Sequence, residues 1–253
     1  MVKQRLQKYL AHCGVSSRRA AEKLIISGYV EVNDEVVTTM GVLVDSDADI
    51  VKVAGHVLHE PAQMVYIAVH KPVGVLSTAR DERGRTTVLD LLPPMAERVY
   101  PVGRLDADSE GLLLLTNDGA LAALLMHPRH NVPKTYIVTV AGEPSDEALR
   151  SLRQGVMLVE GLTRPADVTV VPTSATAPAS QTVLEITLRE GRKRQIRRMC
   201  AAVGLRVLQL RRVRIGSLEL GELPLSAHRH LSAIEVAQLK QIAGSALADP
   251  SGS

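Results

Sequence analysis

An α+β fold in two unequal domains is what this sequence predicts, and three observations carry that prediction. Its 253 residues allow one large domain or two of unequal size. A proline-bearing segment, HEPAQM, breaks the pattern near residue 60. Beyond it strands come in clusters, without the regular alternation with helices that a parallel sheet demands, so a mainly antiparallel arrangement is the better class. The boundaries predicted are 1–60 for the first domain, 61–64 for the linker, 65–242 for the second domain and 243–253 for a frayed tail.

In the first domain, Lys3 to His12 reads as a helix closed by Gly14, and Ser16 or Ser17 caps a second helix that Gly28 ends. On that second helix Ala20, Ala21, Leu24 and Ile25 share a core-facing side, while Arg18, Arg19, Glu22 and Lys23 take the other. YVEVNDEVV then places two valine-bearing stretches around Asn33 and Asp34, the signal of a tight hairpin, and a third strand follows near Asp49 to Val53.

In the second domain VYIAVHKP is a strand stopped by Pro72, and RVYPVGR and GLLLLTN are two more. Asp118 is placed to cap the helix ALAALLMH, and TYIVTV is again a strand. Pro144 and Ser145 open a helix that stops at Gly155, and TVLEITL precedes a basic helix from Arg192 to Val203. Ser232 and Glu235 form a capping box for the last helix.

Charge and cysteine usage narrow the function classes. Net charge is only +3, but Arg189 to Arg214 holds ten basic residues against Glu190 alone, a local +9 that leaves −6 for the rest. Such a concentration points to a polyanionic partner. The two cysteines, Cys13 and Cys200, lie far apart among apolar neighbours, so neither a disulfide nor a thiolate metal site is expected. No apolar run approaches the roughly 20 residues that cross a bilayer, and MVKQRLQKYL is not a signal-peptide core, so no membrane partner and a cytoplasmic location are expected. The chain has no Phe, no Trp and five Tyr, so core volume must come from Leu, Val, Ile and Met.

The stretch GRLDADSEGLLLLTNDG crowds four carboxylates around four leucines. Counted from Asp106 as a calcium loop it supplies Asp106, Asp108, Glu110 and Gly111 at the right positions, but Asn117 stands where the bidentate Glu belongs. Strands rather than helices flank it, so no metal is expected. Asp108, Glu110 and Asp118 read as turn and cap residues. Asp106, beside Arg104 and between glycines, is the carboxylate that a tight loop can hold as a nucleophile or base.

The first domain resembles the S4 RNA-binding domain in its helix order, its S-S-R-R segment and its G-Y-V-x-V-N strand. GRLDADSEGLLLLTNDG closely resembles the catalytic motif of the bacterial ribosomal RNA pseudouridine synthases. HKPVGVLST, DERGRTTVLDLLP, MHPRHNVPKTYIVTV, EGRKRQIRRMCAAVG and LRRVRIGSLEL resemble other segments of that family, in order, so the resemblance spans nearly the whole chain. It implies a catalytic domain built on a mixed, mainly antiparallel sheet with flanking helices. It also implies that Asp106 is the catalytic aspartate, that Tyr136 packs against the target base, and that Arg197 is the basic residue paired with the aspartate.

The activity implied is isomerisation of uridine to pseudouridine in ribosomal RNA, most like the large-subunit enzymes by the basic helix and the R-x-R strand. A small-subunit enzyme, or a non-catalytic RNA-binding or ribosome-assembly protein, stands as the alternative. The reaction needs no cofactor and no metal, because a glycosidic bond is broken and remade without net redox change. The expected partner is structured ribosomal RNA with its target uridine flipped out, bound by a monomer. Arg18, Arg19 and Lys23, with Arg104, Arg192, Lys193, Arg194, Arg198 and Arg212, are the residues expected to contact RNA, chiefly its phosphates. His70 stands where the family often has Asn, and Cys200 where it has Phe. Those losses thin the core but leave Asp106, Tyr136 and Arg197 in place.

Overall fold

The computed structural model describes residues 3–61, 63–172 and 180–245. The chain divides into two compact units, the first Met1–Val65 with Met95–Arg98 and Asn117–Gly119, the second everything else. No helix among the described residues is long and apolar enough to cross a membrane.

The first unit opens with a strand where a helix was expected. Lys3–Arg5 (β1) pairs with Leu43–Asp45 (β4), and the helix α1 begins only at Leu6, running Leu6–His12. The reason lies in burial: Leu6, Tyr9 and Leu10, spaced three and four apart, are the residues this helix puts in the core, whereas residues 3–5 are not buried. Helix α2, Arg18–Ile26, is capped by Ser17, whose hydroxyl accepts from Ala20 N. Ala21 and Ile25 are buried while Arg18, Arg19 and Lys23 are exposed, as its wheel predicts.

Val30–Val32 (β2) and Glu35–Val36 (β3) close the hairpin through Asn33 and Asp34, both at positive φ (53° and 66°). Strand β2 also pairs with Val51–Val53 (β5), and β5 with His56–Val57 (β6). The Asn33 side chain donates to Asp49 at 2.9 Å and accepts from Ile50 N at 2.9 Å, which fixes where the third predicted strand begins. The short strands β1, β4 and β6, each two or three residues long, were not legible.

The second unit is built on one nine-stranded sheet. Its strands are Tyr66–Lys71 (β7), Tyr100–Val102 (β8), Glu110–Thr116 (β9) and Lys134–Ala141 (β10), with a separate two-stranded hairpin, Met157–Leu158 (β11) and Gly161–Leu162 (β12). The sheet continues with Asp167–Val171 (β13), Gln181–Leu188 (β14), Val207–Ile215 (β15), Leu218–Glu219 (β16) and His228–His230 (β17). The order is β13-β14-β10-β15-β9-β7-β17, with β16 on β15 and β8 on β9. Among the described strands of this sheet only the β9–β15 pair is parallel, so the sheet is mixed and mainly antiparallel, as the sequence implied.

Four helices flank it: Gly119–Met126 (α3), Asp146–Gln154 (α4), Gln195–Ala202 (α5) and Ala233–Ser245 (α6). Leu149 and Leu152 of α4 and Ile196, Met199 and Cys200 of α5 join the core over β10, β13 and β14. Leu121 and Leu125 of α3 and Leu239 of α6 join a second core cluster with Leu112 and Leu114 of β9. Cys200 is a buried free thiol, its pKa pushed up to about 11 by burial, and it occupies the place expected for a small core residue.

Two boundaries differ from the expectation. The basic helix starts at Gln195 rather than Arg192, because Arg194 is left-handed (φ 51°) and the Gln195 side chain accepts from Arg192 N at 2.9 Å, shaping residues 192–194 into a turn. The last helix, capped by the reciprocal Ser232 and Glu235 bonds, continues through residues 243–245 of the segment expected to fray. The rest of that segment, 246–253, lies outside the described residues, as do residue 62 of the predicted linker and residues 173–179.

Candidate active site

The loop from Gly103 to Ser109 is held in a tight, ordered course from both sides. Gly103 turns at φ 74°, Ser77 Oγ donates to Leu105 O at 2.8 Å and accepts from Leu105 N at 3.1 Å, and Gly74 N donates to Ala107 O at 2.7 Å. Ser109 N returns to Asp106 O at 3.1 Å, closing a turn with Asp106 at its first position. Strands β8 and β9 flank this loop.

Asp106 therefore stands on a rigid turn, half-buried, on the wall of a cleft of about 630 Å³. Among the described residues no donor forms a hydrogen bond or ion pair with its carboxylate. Tyr136 and Arg212 line the same cleft, with Arg104, Lys134 and Lys193. The cleft thus joins an open carboxylate, an aromatic ring and a cationic surround.

Tyr136 and Arg212 belong to one lateral row across four adjacent strands. Tyr136 of β10 stands opposite Arg212 of β15, Arg212 opposite Gly111 of β9, and Gly111 opposite Lys71 of β7. Directly opposed residues share a face, so the row gathers side chains that are far apart in sequence. Gly111 has to be glycine: its φ is 115°, and a Cβ there would lie 2.5 Å from Arg212 N and closer still to Arg212 O.

Two cations of this row are deeply sunk. Arg212 is only 2% exposed, and its Nε donates to Leu112 O at 2.8 Å while Nη2 has no partner. Lys71 is 0% exposed and donates to Pro72 O at 2.8 Å. Burial pushes the Lys71 ammonium down to about 8, partly offset by the negative charges of Asp106, Asp108 and Glu110. Burial beside Arg212 likewise brings Lys134 down to about 8.

The folded protein thus holds the Lys71 proton less readily than the unfolded chain, which keeps it up to the ordinary 10.5, so stability contributed by this group rises with pH between about 8 and 10.5. Denaturant unfolding at about pH 8 and about pH 10 should show wild-type stability rising by roughly 2 kcal/mol more than that of Lys71→Met. Equal changes in both proteins would show that Lys71 does not titrate in this window.

One expected pairing is corrected. Arg197 is held by Asp108, not Asp106: its Nη2 donates to Asp108 O at 2.7 Å and its Nε lies 3.3 Å from the Asp108 carboxylate. Arg194 closes on the same carboxylate with two bonds, 3.0 and 2.7 Å. Residues 194 and 197 are three apart at the start of α5, so one acid reaches both. Asp108, read from sequence as a turn residue, thus ties the loop to the basic helix, and Arg194 holds its carboxyl below the usual range.

The expected phosphate contacts also divide. Arg192 donates to Gly161 O (2.6 Å) and Leu162 O (2.5 Å) and pairs with Glu190, while Arg198 pairs with Glu160. Both strap the β11–β12 hairpin to the basic segment instead of facing outward. Arg104 and Lys193 are exposed on the cleft wall without a side-chain partner among the described residues, as are Arg18, Arg19 and Lys23 on α2 of the first unit. Lys71, Gly111 and Ser77 were not singled out from sequence. Lys71 lies in HKPVGVLST and Gly111 in GRLDADSEGLLLLTNDG, but only the strand register reveals that they meet.

Comparison with known proteins bears on this site. A family model described as RNA pseudouridylate synthase matches residues 65–202, and an S4 domain model matches residues 4–50. Among curated relatives, a ribosomal large subunit pseudouridine synthase B of Bacillus subtilis is 44% identical over 240 residues, covering 95% of this chain and 97% of that protein. A protein of the same name from Vibrio cholerae is 39% identical, covering 94% and 75% respectively. Of solved structures, a crystal structure titled pseudouridylate synthase superposes with a TM-score of 0.67 at 29% identity, covering 93% of this chain and 99% of that one.

Proposed function

This chain belongs to the RNA pseudouridylate synthase family, with an S4 domain in front, and from that premise we propose that it converts uridine to pseudouridine in large-subunit ribosomal RNA. The observation that carries the reading is the unengaged carboxylate of Asp106 on a rigid loop, facing one cleft together with Tyr136 and Arg212. With no hydrogen bond or ion pair to a protein group among the described residues, this carboxylate is open to meet a sugar.

Isomerisation breaks the N1–C1′ bond, turns the base, and joins C5 to C1′. The Asp106 carboxylate either attacks C1′ or removes the C2′ proton, and in both cases it reacts in its ionised form. The target base has to leave the RNA stack to reach it, at a cost of a few kcal/mol. Tyr136 offers a flat surface for the extruded ring and a phenol near C5, where a proton finally departs. Arg104 and Lys193, exposed on the wall, are placed for phosphates.

Two other parts of the reading are the substrate and the handling of RNA. The large-subunit assignment rests on the two relatives of that name. Incubating the protein with unmodified large- and small-subunit ribosomal RNA and mapping pseudouridine chemically tests it: new pseudouridine should appear in the large-subunit RNA. Product confined to small-subunit RNA would overturn the assignment, and absence of product from both would leave an RNA-binding protein.

The exposed face of α2 is proposed as the second RNA contact, with the chain acting as a cytoplasmic monomer. Replacing Arg18, Arg19 and Lys23 together by Ala should weaken RNA binding and lower the slope of log affinity against log salt by about 2 to 3, since each phosphate neutralised contributes roughly 0.7 to 0.9. An unchanged slope would show that α2 is merely solvated.

A further inference from the structure

Resting on that reading, we propose that Arg212 donates from Nη2 to a carbonyl oxygen of the extruded uracil and holds the charge the base carries while it is detached. The role is distinct from phosphate binding, because the guanidinium is sunk in the sheet floor rather than exposed on the rim.

Three features of the structure converge on it. Arg212 is anchored by Nε to Leu112 O at 2.8 Å, so its plane is set before any substrate arrives. Its Nη2 is buried with no partner, and it is the one such buried nitrogen, among the described residues, whose side chain lines the cleft. A buried donor left unmet is costly, so an acceptor that enters the cleft is strongly favoured there. Finally, Tyr136 stands directly opposite Arg212 in the β10–β15 register, so a ring resting on the tyrosine brings its edge toward the guanidinium. Gly111, on the other side, contributes no side chain to obstruct it.

The chemistry explains why a fixed donor suits this reaction. When N1–C1′ breaks, the bonding pair stays on the base, and the negative charge spreads from N1 onto O2 and O4. To present C5 where N1 stood, the ring turns about the axis through N3 and C6, and that half-turn exchanges O2 with O4. One donor at one place therefore meets a carbonyl before the turn and another after it. C5 then bonds to C1′ as Asp106 leaves C1′ or returns the C2′ proton. The C5 proton departs and N1 is protonated, so atoms and electrons balance without a co-reactant.

The test combines a change in the protein with a change in the base. Wild type, Arg212→Met and Arg212→Gln would be compared in single-turnover isomerisation of large-subunit RNA and in RNA affinity. The target would be uridine, 2-thiouridine or 4-thiouridine, because sulfur is a poor acceptor. Arg212→Met should lower the rate about 100-fold, the usual cost of losing a preorganised donor to developing charge, with Arg212→Gln between the two. RNA affinity should stay within about threefold. Either thio base should slow the wild type roughly 10-fold and leave Arg212→Met unaffected.

A wild-type rate in Arg212→Met, a loss confined to RNA affinity, or equal thio effects in both proteins would overturn the assignment. Should Arg212→Met fail to fold by its melting profile, Arg212→Gln takes its place in the same comparison, and the same three results would overturn the role. Failure of the wild type to make pseudouridine in any ribosomal RNA would instead defeat the function proposed above, and this role with it.

Discussion

Asp106→Asn should leave the protein folded and RNA-bound but unable to form pseudouridine. The substitution keeps the size and shape of the side chain and removes its capacity to attack C1′ or accept the C2′ proton. The loop does not depend on the carboxylate: Ser77, Gly74 and Ser109 hold backbone atoms, and the side chain has no hydrogen-bond or ion-pair partner among the described residues. The rate should therefore fall by roughly 10⁴-fold or more, the scale seen when a reacting group is removed, while the melting temperature stays near that of wild type. Single-turnover assays with chemical mapping of pseudouridine measure the first, and thermal unfolding the second. Full activity in Asp106→Asn would remove Asp106 from the reaction and leave the cleft without its reacting group.

Gly111→Ala should do the opposite, damaging the fold before the chemistry. A methyl group at this position meets the backbone of Arg212, not a flexible side chain, and the backbone stands at φ 115°, which L residues rarely adopt. Strands β9 and β15 cannot part to make room without losing the one parallel pairing that joins the two halves of the sheet. Strain and overpacking together should cost about 2 to 5 kcal/mol, which lowers the melting temperature by roughly 10 °C in a protein of this size. An unshifted melting curve would mean that the close approach of Gly111 to Arg212 is not maintained in solution.

Much of this architecture was legible in the sequence, and the exceptions have physical causes. Long strands and capped helices announced themselves: β7, β9, β10 and β14 as β-rich runs, α2 through Ser17, α4 through Ser145 and α6 through its capping box. A piece such as β1 did not, because its pairing comes from a partner about forty residues downstream. Asp106 and Tyr136 were legible as candidates because motifs carry them, and both line one cleft.

The pairing of Arg197 with Asp108 was not legible for a different reason. Spacing cannot tell which of two acids, Asp106 or Asp108, a helix about ninety residues downstream will meet, and the left-handed turn at Arg194 that decides it leaves no compositional trace. Likewise a run of ten basic residues reads as one surface, whereas Arg192 and Arg198 pair with Glu190 and Glu160. Lys71 and Arg212 look like ordinary surface residues until the register buries them side by side with Gly111.

The parallel pairing of Gly111 with Arg212 also has a bearing on how the chain reaches its native state. Its two sides are about a hundred residues apart, and on the ribosome β9 emerges long before β15 exists. Until β15 arrives, β9 pairs with β7 and, from Leu114 to Thr116, with β8, while its start at Glu110 and Gly111 keeps an open edge. Long-range contacts of this kind slow folding and expose aggregation-prone intermediates. The row that joins Tyr136, Arg212, Gly111 and Lys71 is accordingly among the last regions to assemble, and chains cut short before residue 207 should accumulate as insoluble fragments.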